Sequence, residues 1–324
     1  MRFNSKARLD RSQIQNRRGR SSAGGSRSGL GGLGGGRTGG GGMGLPVGGG
    51  IGGVVLLIIL AVFVGPQILG DTTAGPSGST GSPNGTDPVS TAGEDLTHCR
   101  SGADANRDPD CARLAVVNSI QSFWSQALPQ QSDRGYRQAD TVIFSDQVDT
   151  ACGGATSEVG PFYCPSDEQV YLDTTFFDDM LEGQLGGRGG DFAEAYVLAH
   201  EYGHHVQNLL GTMGRVRTQQ GAESDAVRLE LQADCYAGMW TKFATQAEDA
   251  QGRVLIEQLT QQDIAEALDS ARAVGDDRIQ QRSSGRINPD QWTHGSAQQR
   301  MGWFTTGREQ GTLRACDTFA AREL

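Results

Sequence analysis

Apolar residues recur at helical spacing through most of the C-terminal two-thirds of the chain, and short β-rich runs interrupt them at two places. Between positions 112 and 128, Leu114, Val117, Ile120, Phe123 and Trp124 fall on one helical face. The same period predicts helices over 174–185, 191–210, 222–245, 260–273 and 296–309. Positions 141–148 and 169–174 are short and rich in β-formers, so they read as strands. Gly186-Gly187 and Gly189-Gly190 separate the first two later helices, and Gly211 closes the second in the usual C-terminal glycine position. This pattern predicts an α+β domain over 96–324, mostly helical with a small sheet.

One apolar run has no polar face at all. Positions 47–69 carry no charge and, with their flanking glycines, approach the roughly 20 residues that cross a bilayer. A cleaved secretory signal is the second reading, but 46 residues precede the run and no small-x-small cleavage site follows it. The run is therefore expected to be a transmembrane helix. Positions 70–95 are rich in Ser, Thr, Gly and Pro without apolar period, which describes a flexible linker.

Charge sharpens this division. The net charge of −10 averages over two unlike parts. Nine basic residues and Asp10 give positions 1–46 a charge of +8, and the other 278 residues carry −18. Nineteen of the 48 glycines lie in the first 53 positions. The head is therefore expected to be basic, Gly-rich and disordered. By the positive-inside rule it is cytoplasmic, which places the acidic body outside the cytoplasmic membrane. An acidic body would repel phosphate, so no nucleic-acid partner is expected. All six cysteines follow the linker, none as C-x-x-C, and an even number on the predicted outer side suggests disulfides. Proximity favours Cys99–Cys111 and Cys152–Cys164, leaving Cys235–Cys316.

The chemistry lies in Ala199-His200-Glu201-Tyr202-Gly203-His204. Two histidines four apart on a helix project from one face and can hold one Zn²⁺. Glu201 points elsewhere, which suits a base for activating water rather than a ligand. A polar surface helix is an inadequate alternative, because Ala195, Val197, Leu198, Ala199 and Val206 make this helix largely apolar. The longer pattern H-E-x-x-H-x-x-G-x-x-H, which would supply a third histidine ligand, is not completed, since positions 207 and 210 are Gln and Leu. On the next predicted helix Glu230 and Asp234 share a face, and the intervening loop lets that helix fold back. Glu230 is thus the expected third ligand, with Asp234 accepting the outer N–H of a ligand histidine. Glu223 and Asp225 compete but lie in more polar company.

These segments, HEYGHHVQNLLG and ELQADCYAGMW, together with Gly160–Pro165 (GPFYCP), Tyr171-Leu172-Asp173 and Thr293–Arg300 (THGSAQQR), resemble the bacterial membrane-anchored neutral zinc metallopeptidase family, zincins with an H-E-x-x-H motif. The resemblance covers essentially 96–324. It implies one catalytic Zn²⁺ on His200, His204 and Glu230, Glu201 as base, and a peptide or protein substrate. Oxyanion stabilisation falls to His294, in a Gly/Ser-bordered turn, with Tyr163 behind it. By analogy of fold, the strand ending at Asp173 is the edge on which extended substrate pairs. A non-catalytic, zinc-stabilised binding module on the cell surface is the alternative reading.

Overall fold

The structure, a computed structural model, describes residues 1–19 and 96–324. The apolar run at 47–69, the linker at 70–95 and most of the glycine-rich head lie outside the described residues. No helix among the described residues is long and apolar enough to cross a membrane.

The body is mostly helical with small sheets. After a short α1 (Gly102–Ala105), α2 (Pro109–Gln131) begins at Asp108, whose carboxylate accepts the Cys111 N–H, and Pro109 occupies the first turn. The central helix is α3 (Asp191–Leu210), as the pattern predicts. Asp191 and Glu194 complement the positive end of its dipole, and Gly211 ends it at φ 74°. It is buried on nearly every side from Phe192 to Gln207, so its polar groups face the interior of the molecule. The Ser224 hydroxyl caps α4 (Asp225–Phe243), which packs against α3. A Cβ at Gly203 would stand 3.1 Å from the Ala233 backbone, so this glycine between the two histidines sets how closely the helices approach. Then follow α5 (Gln261–Ala273), α6 (Asp276–Ser284) and α7 (Ala297–Gln310), the last packed along α4. The predicted helix at 174–185 is a wider π-helical segment, Phe176–Gln184.

The strands, in chain order, are β1 (Arg2–Phe3), β2 (Ile14–Asn16), β3 (Thr141–Phe144), β4 (Gln147–Thr150), β5 (Gly153–Thr156), β6 (Phe162–Cys164), β7 (Gln169–Asp173) and β8 (Ile256–Gln258). The main sheet has the order β2-β3-β7-β6, with β6 antiparallel to the rest. The predicted strand at 141–148 divides into β3 and β4, and β4 forms a hairpin with β5. The strand ending at Asp173 is not the sheet edge. It is β7, flanked on both sides, and the edge nearest α3 is β6. Three residues bracketed by Pro161 and Pro165 are too short a run to read as a strand from pattern.

A second correction concerns the chain's first residues. Residues 1–19, placed by composition in a disordered head, are folded onto the body: β2 pairs in parallel with β3, and β1 pairs antiparallel with β8. Phe3, Ala7 and Ile14 are buried there. The three disulfides are Cys99–Cys111, Cys152–Cys164 and Cys235–Cys316, the pairing expected from spacing. No free cysteine exists among the described residues.

Candidate metal centre

His200 and His204 on α3 and Glu230 on α4 converge on one point. His200 Nε2 lies 3.2 Å from one Glu230 oxygen and His204 Nε2 lies 3.4 Å from the other. Donor atoms about 2.0–2.1 Å from a tetrahedral zinc stand roughly 3.3 Å from one another, so this spacing fits the ion. Two neutral imidazoles and a carboxylate are also the donor set of a catalytic zinc with an open position.

The ring orientations are determined by partners on the far side. His200 Nδ1 lies 2.8 Å from Asp234 Oδ1, and His204 Nδ1 lies 2.8 Å from Gln207 Oε1. The Gln207 amide is itself oriented by donating to the Leu229 carbonyl at 2.7 Å. Each Nδ1 therefore donates outward, and each Nε2 faces the shared point, where a bound ion would take the place of its proton. Gln207 escapes a motif search, although its i+3 spacing from His204 puts the two on one face.

Asp234 is fully buried and paired with Arg300 of α7, whose Nε and Nη2 donate to its two oxygens at 2.8 and 3.0 Å. The Tyr196 hydroxyl donates to it as well, at 2.5 Å. Burial pushes the Asp234 carboxyl up, but Arg300 and His200 outweigh it and hold it below its ordinary value. Burial pushes His200 down, yet Asp234 and Glu230 hold it up at about 10. For Glu230 burial again opposes ionisation, and the two histidines keep the carboxyl well below its ordinary range. The negative field that favours a proton at this point equally favours a divalent cation.

Glu201 is buried beside this group and lines the same cavity, of about 370 Å³, with no hydrogen bond to any described residue. Burial raises its carboxyl. His294 also lines the cavity. Asp276, the first residue of α6, accepts the backbone N–H groups of Thr293, His294 and Gly295 at 2.7, 2.7 and 3.0 Å. Thr293 Oγ1 and Asp276 Oδ1 occupy His294 Nδ1 at 2.9 and 3.4 Å, leaving Nε2 for the cavity. Burial pushes His294 down, and Asp276 more than offsets it, so its pKa is raised.

Tyr163 reaches the cavity with its ring, but its hydroxyl is committed. It lies 3.0 Å from His205 Nδ1 and accepts from the Asn208 amide at 3.0 Å. His205 in turn donates from Nε2 to the Arg137 carbonyl at 2.7 Å, so this third histidine packs inside and binds nothing at the centre. Glu223 is exposed, and Asp225 accepts backbone N–H groups of Arg217 and Thr218 at the start of α4; neither joins the cluster.

Comparisons with known proteins show the family. A family profile described as "Putative neutral zinc metallopeptidase" matches residues 6–319, and the chain belongs to that family. An uncharacterized protein of Mycobacterium tuberculosis (strain H37Rv) is 53% identical over 234 residues, 72% of this chain and 78% of the relative. The uncharacterized protein YpfJ of Escherichia coli (strain K12) is 38% identical over 279 residues, 83% of this chain and 87% of the relative. No solved structure matches.

Proposed function

We propose that the chain is a zinc-dependent peptidase in which His200, His204 and Glu230 hold one ion and Glu201 handles the proton. The convergence of two outward-anchored histidines and a buried carboxylate, beside a Glu201 that has no hydrogen bond to any described residue, carries this reading. Zinc bound there would supply Lewis acidity and a nucleophile at neutral pH. Glu201 takes a proton from the attacking water and returns it to the leaving amine. His294, fixed by Asp276, presents its Nε2–H to the oxyanion that develops on the substrate carbonyl. Three disulfides support an oxidising, extracytoplasmic setting for the body, and the apolar run at 47–69 supports attachment to the membrane.

The cavity also carries a substrate preference. Phe176, Met180, Leu185, Val274 and Ile279 line it with apolar surface, which suits a bulky apolar side chain next to the cleaved bond. Strand β6 lines it too and has no strand partner on its outer side among the described residues, so an extended peptide can pair there. Peptides with Leu or Phe flanking the cleaved bond should show kcat/KM about 10-fold or more above their Ala counterparts, consistent with about 1–3 kcal/mol for small changes in an apolar pocket. Equal rates would refute the preference.

The His294 role has a pH signature. Because its pKa is raised, the protonated donor persists above the ordinary 6.5 and is lost as pH rises through the folded value. The alkaline limb of kcat/KM should therefore lie above 6.5 and move down in Asp276→Asn, with Glu230 and Arg300 still acting on the ring. A limb unmoved by that substitution would assign it to another group. The overall reading is tested by incubating the full chain with a peptide library and with cell-wall peptides, with and without chelator. Chelator-sensitive cleavage supports it, and none with zinc bound favours the non-catalytic module.

A further inference from the structure

Residues 1–19 are tied to the body along their whole length, which bears on where the two lie. Asn4 N donates to the Leu255 carbonyl at 3.0 Å, and Gly102 N donates to the Ala7 carbonyl at 2.9 Å. The Asn106 side chain imitates a strand, accepting from Phe3 N at 2.9 Å and donating to its carbonyl at 2.8 Å. Asn118, on buried α2, does the same for Asp10 at 2.7 and 3.0 Å and also reaches the Gln13 side chain at 2.9 Å. Arg17 N completes the β2–β3 ladder on the Ile143 carbonyl at 2.7 Å. A Cβ on Gly102 would lie 2.0 Å from the Asn4 carbonyl oxygen, so the body has a glycine where this segment crosses it.

The charges fit the same picture. Six of the nine basic residues in the head (Arg2, Lys6, Arg8, Arg11, Arg17 and Arg18) fall within this segment. Arg2 pairs with Glu257 at 3.4 Å, Arg18 with Asp110, and Arg11 donates to the Thr97 carbonyl at 3.1 Å. Six of the nine charges that assign the head to the cytoplasm therefore lie in a segment folded onto the body, and two of them pair with its carboxylates. The family profile, which begins at residue 6, includes residues 6–19 of the segment as well.

We propose that residues 1–19 and the zinc-site body occupy the same side of the membrane, so that the apolar run at 47–69 attaches the protein without separating them. A bilayer crossed once between residues 19 and 96 would pull β2 from β3 and leave that edge of the sheet unpaired. The opposite edge, β6, lines the cavity, so the segment completes the fold without blocking the site.

Arg8 and Ser101 form an antiparallel bridge flanked by the Leu9–Arg100 and Ala7–Gly102 hydrogen bonds. Such non-hydrogen-bonded pairs bring Cα atoms to about 4.5 Å, within the approximate disulfide range of 4.4–6.8 Å. The test is Arg8→Cys with Ser101→Cys in the full chain, with a protease site inserted between residues 19 and 96 and thiols blocked in intact cells before lysis. After cutting, the N-terminal fragment should stay attached until reductant is added, and adding Gly102→Ala should lower the linked fraction several-fold. A fragment that separates without reductant overturns the proposal. A second readout uses single cysteines at exposed positions, Ser12→Cys and Asp133→Cys, with a membrane-impermeant thiol reagent. Both should react from one side; Ser12→Cys reacting only after permeabilisation, when Asp133→Cys reacts without it, overturns the proposal.

Discussion

Glu201→Gln should lower peptide hydrolysis by about 10²–10⁴-fold, the span that general acid–base groups contribute, while one zinc per chain is retained. The substitution keeps the side chain's shape and leaves His200, His204 and Glu230 in place. It removes the proton acceptor that lines the cavity and has no hydrogen bond to any described residue. Parallel measurement of hydrolysis and zinc content separates loss of the base from loss of the ion. A variant with unchanged hydrolysis would remove Glu201 from the mechanism, and one that also lost zinc would make it part of the binding shell.

Asp234→Asn should be the most damaging change that replaces no proposed ligand. Arg300 is almost completely buried and has Asp234 as its bidentate partner. Leaving such a cation unpaired costs about 3–5 kcal/mol of stability, read by denaturant unfolding at neutral pH. Asp234 also accepts the outer N–H of His200, and loss of such a partner typically weakens metal binding about 10–100-fold. The wild-type carboxyl has a lowered pKa, so its contribution to stability is present above the ordinary 3.8 and fades as pH falls through the folded value. The stability difference between wild type and variant should therefore shrink in acid. A variant as stable as wild type at neutral pH would show that Arg300 is not held by this pair.

Much of the site is legible from spacing because helices translate sequence distance into direction. His200 with His204, and Glu230 with Asp234, are each four apart, and the structure brings both pairs to one point. What spacing misses comes from tertiary contact. Arg300 lies 66 positions from Asp234, and Asp276 lies 18 before His294 in a helix, DDRIQQRSS, with almost no apolar residue to give a period. The main error in the fold is one of averaging. The first 18 residues contain no glycine and do contain Phe3, Ala7 and Ile14, which become core, but counting them with the glycine-rich stretch behind them hides that difference. A fragment starting at residue 96, which the sequence alone suggests as the folded unit, would lack β2 and expose β3.

The central claim is that His200, His204 and Glu230 hold a single zinc ion, and metal analysis of the purified full chain tests it most directly. One zinc per wild-type chain is expected, falling to near zero in His204→Ala. A folded wild-type chain that takes up no zinc, or a His204→Ala variant that retains it in full, would contradict the account.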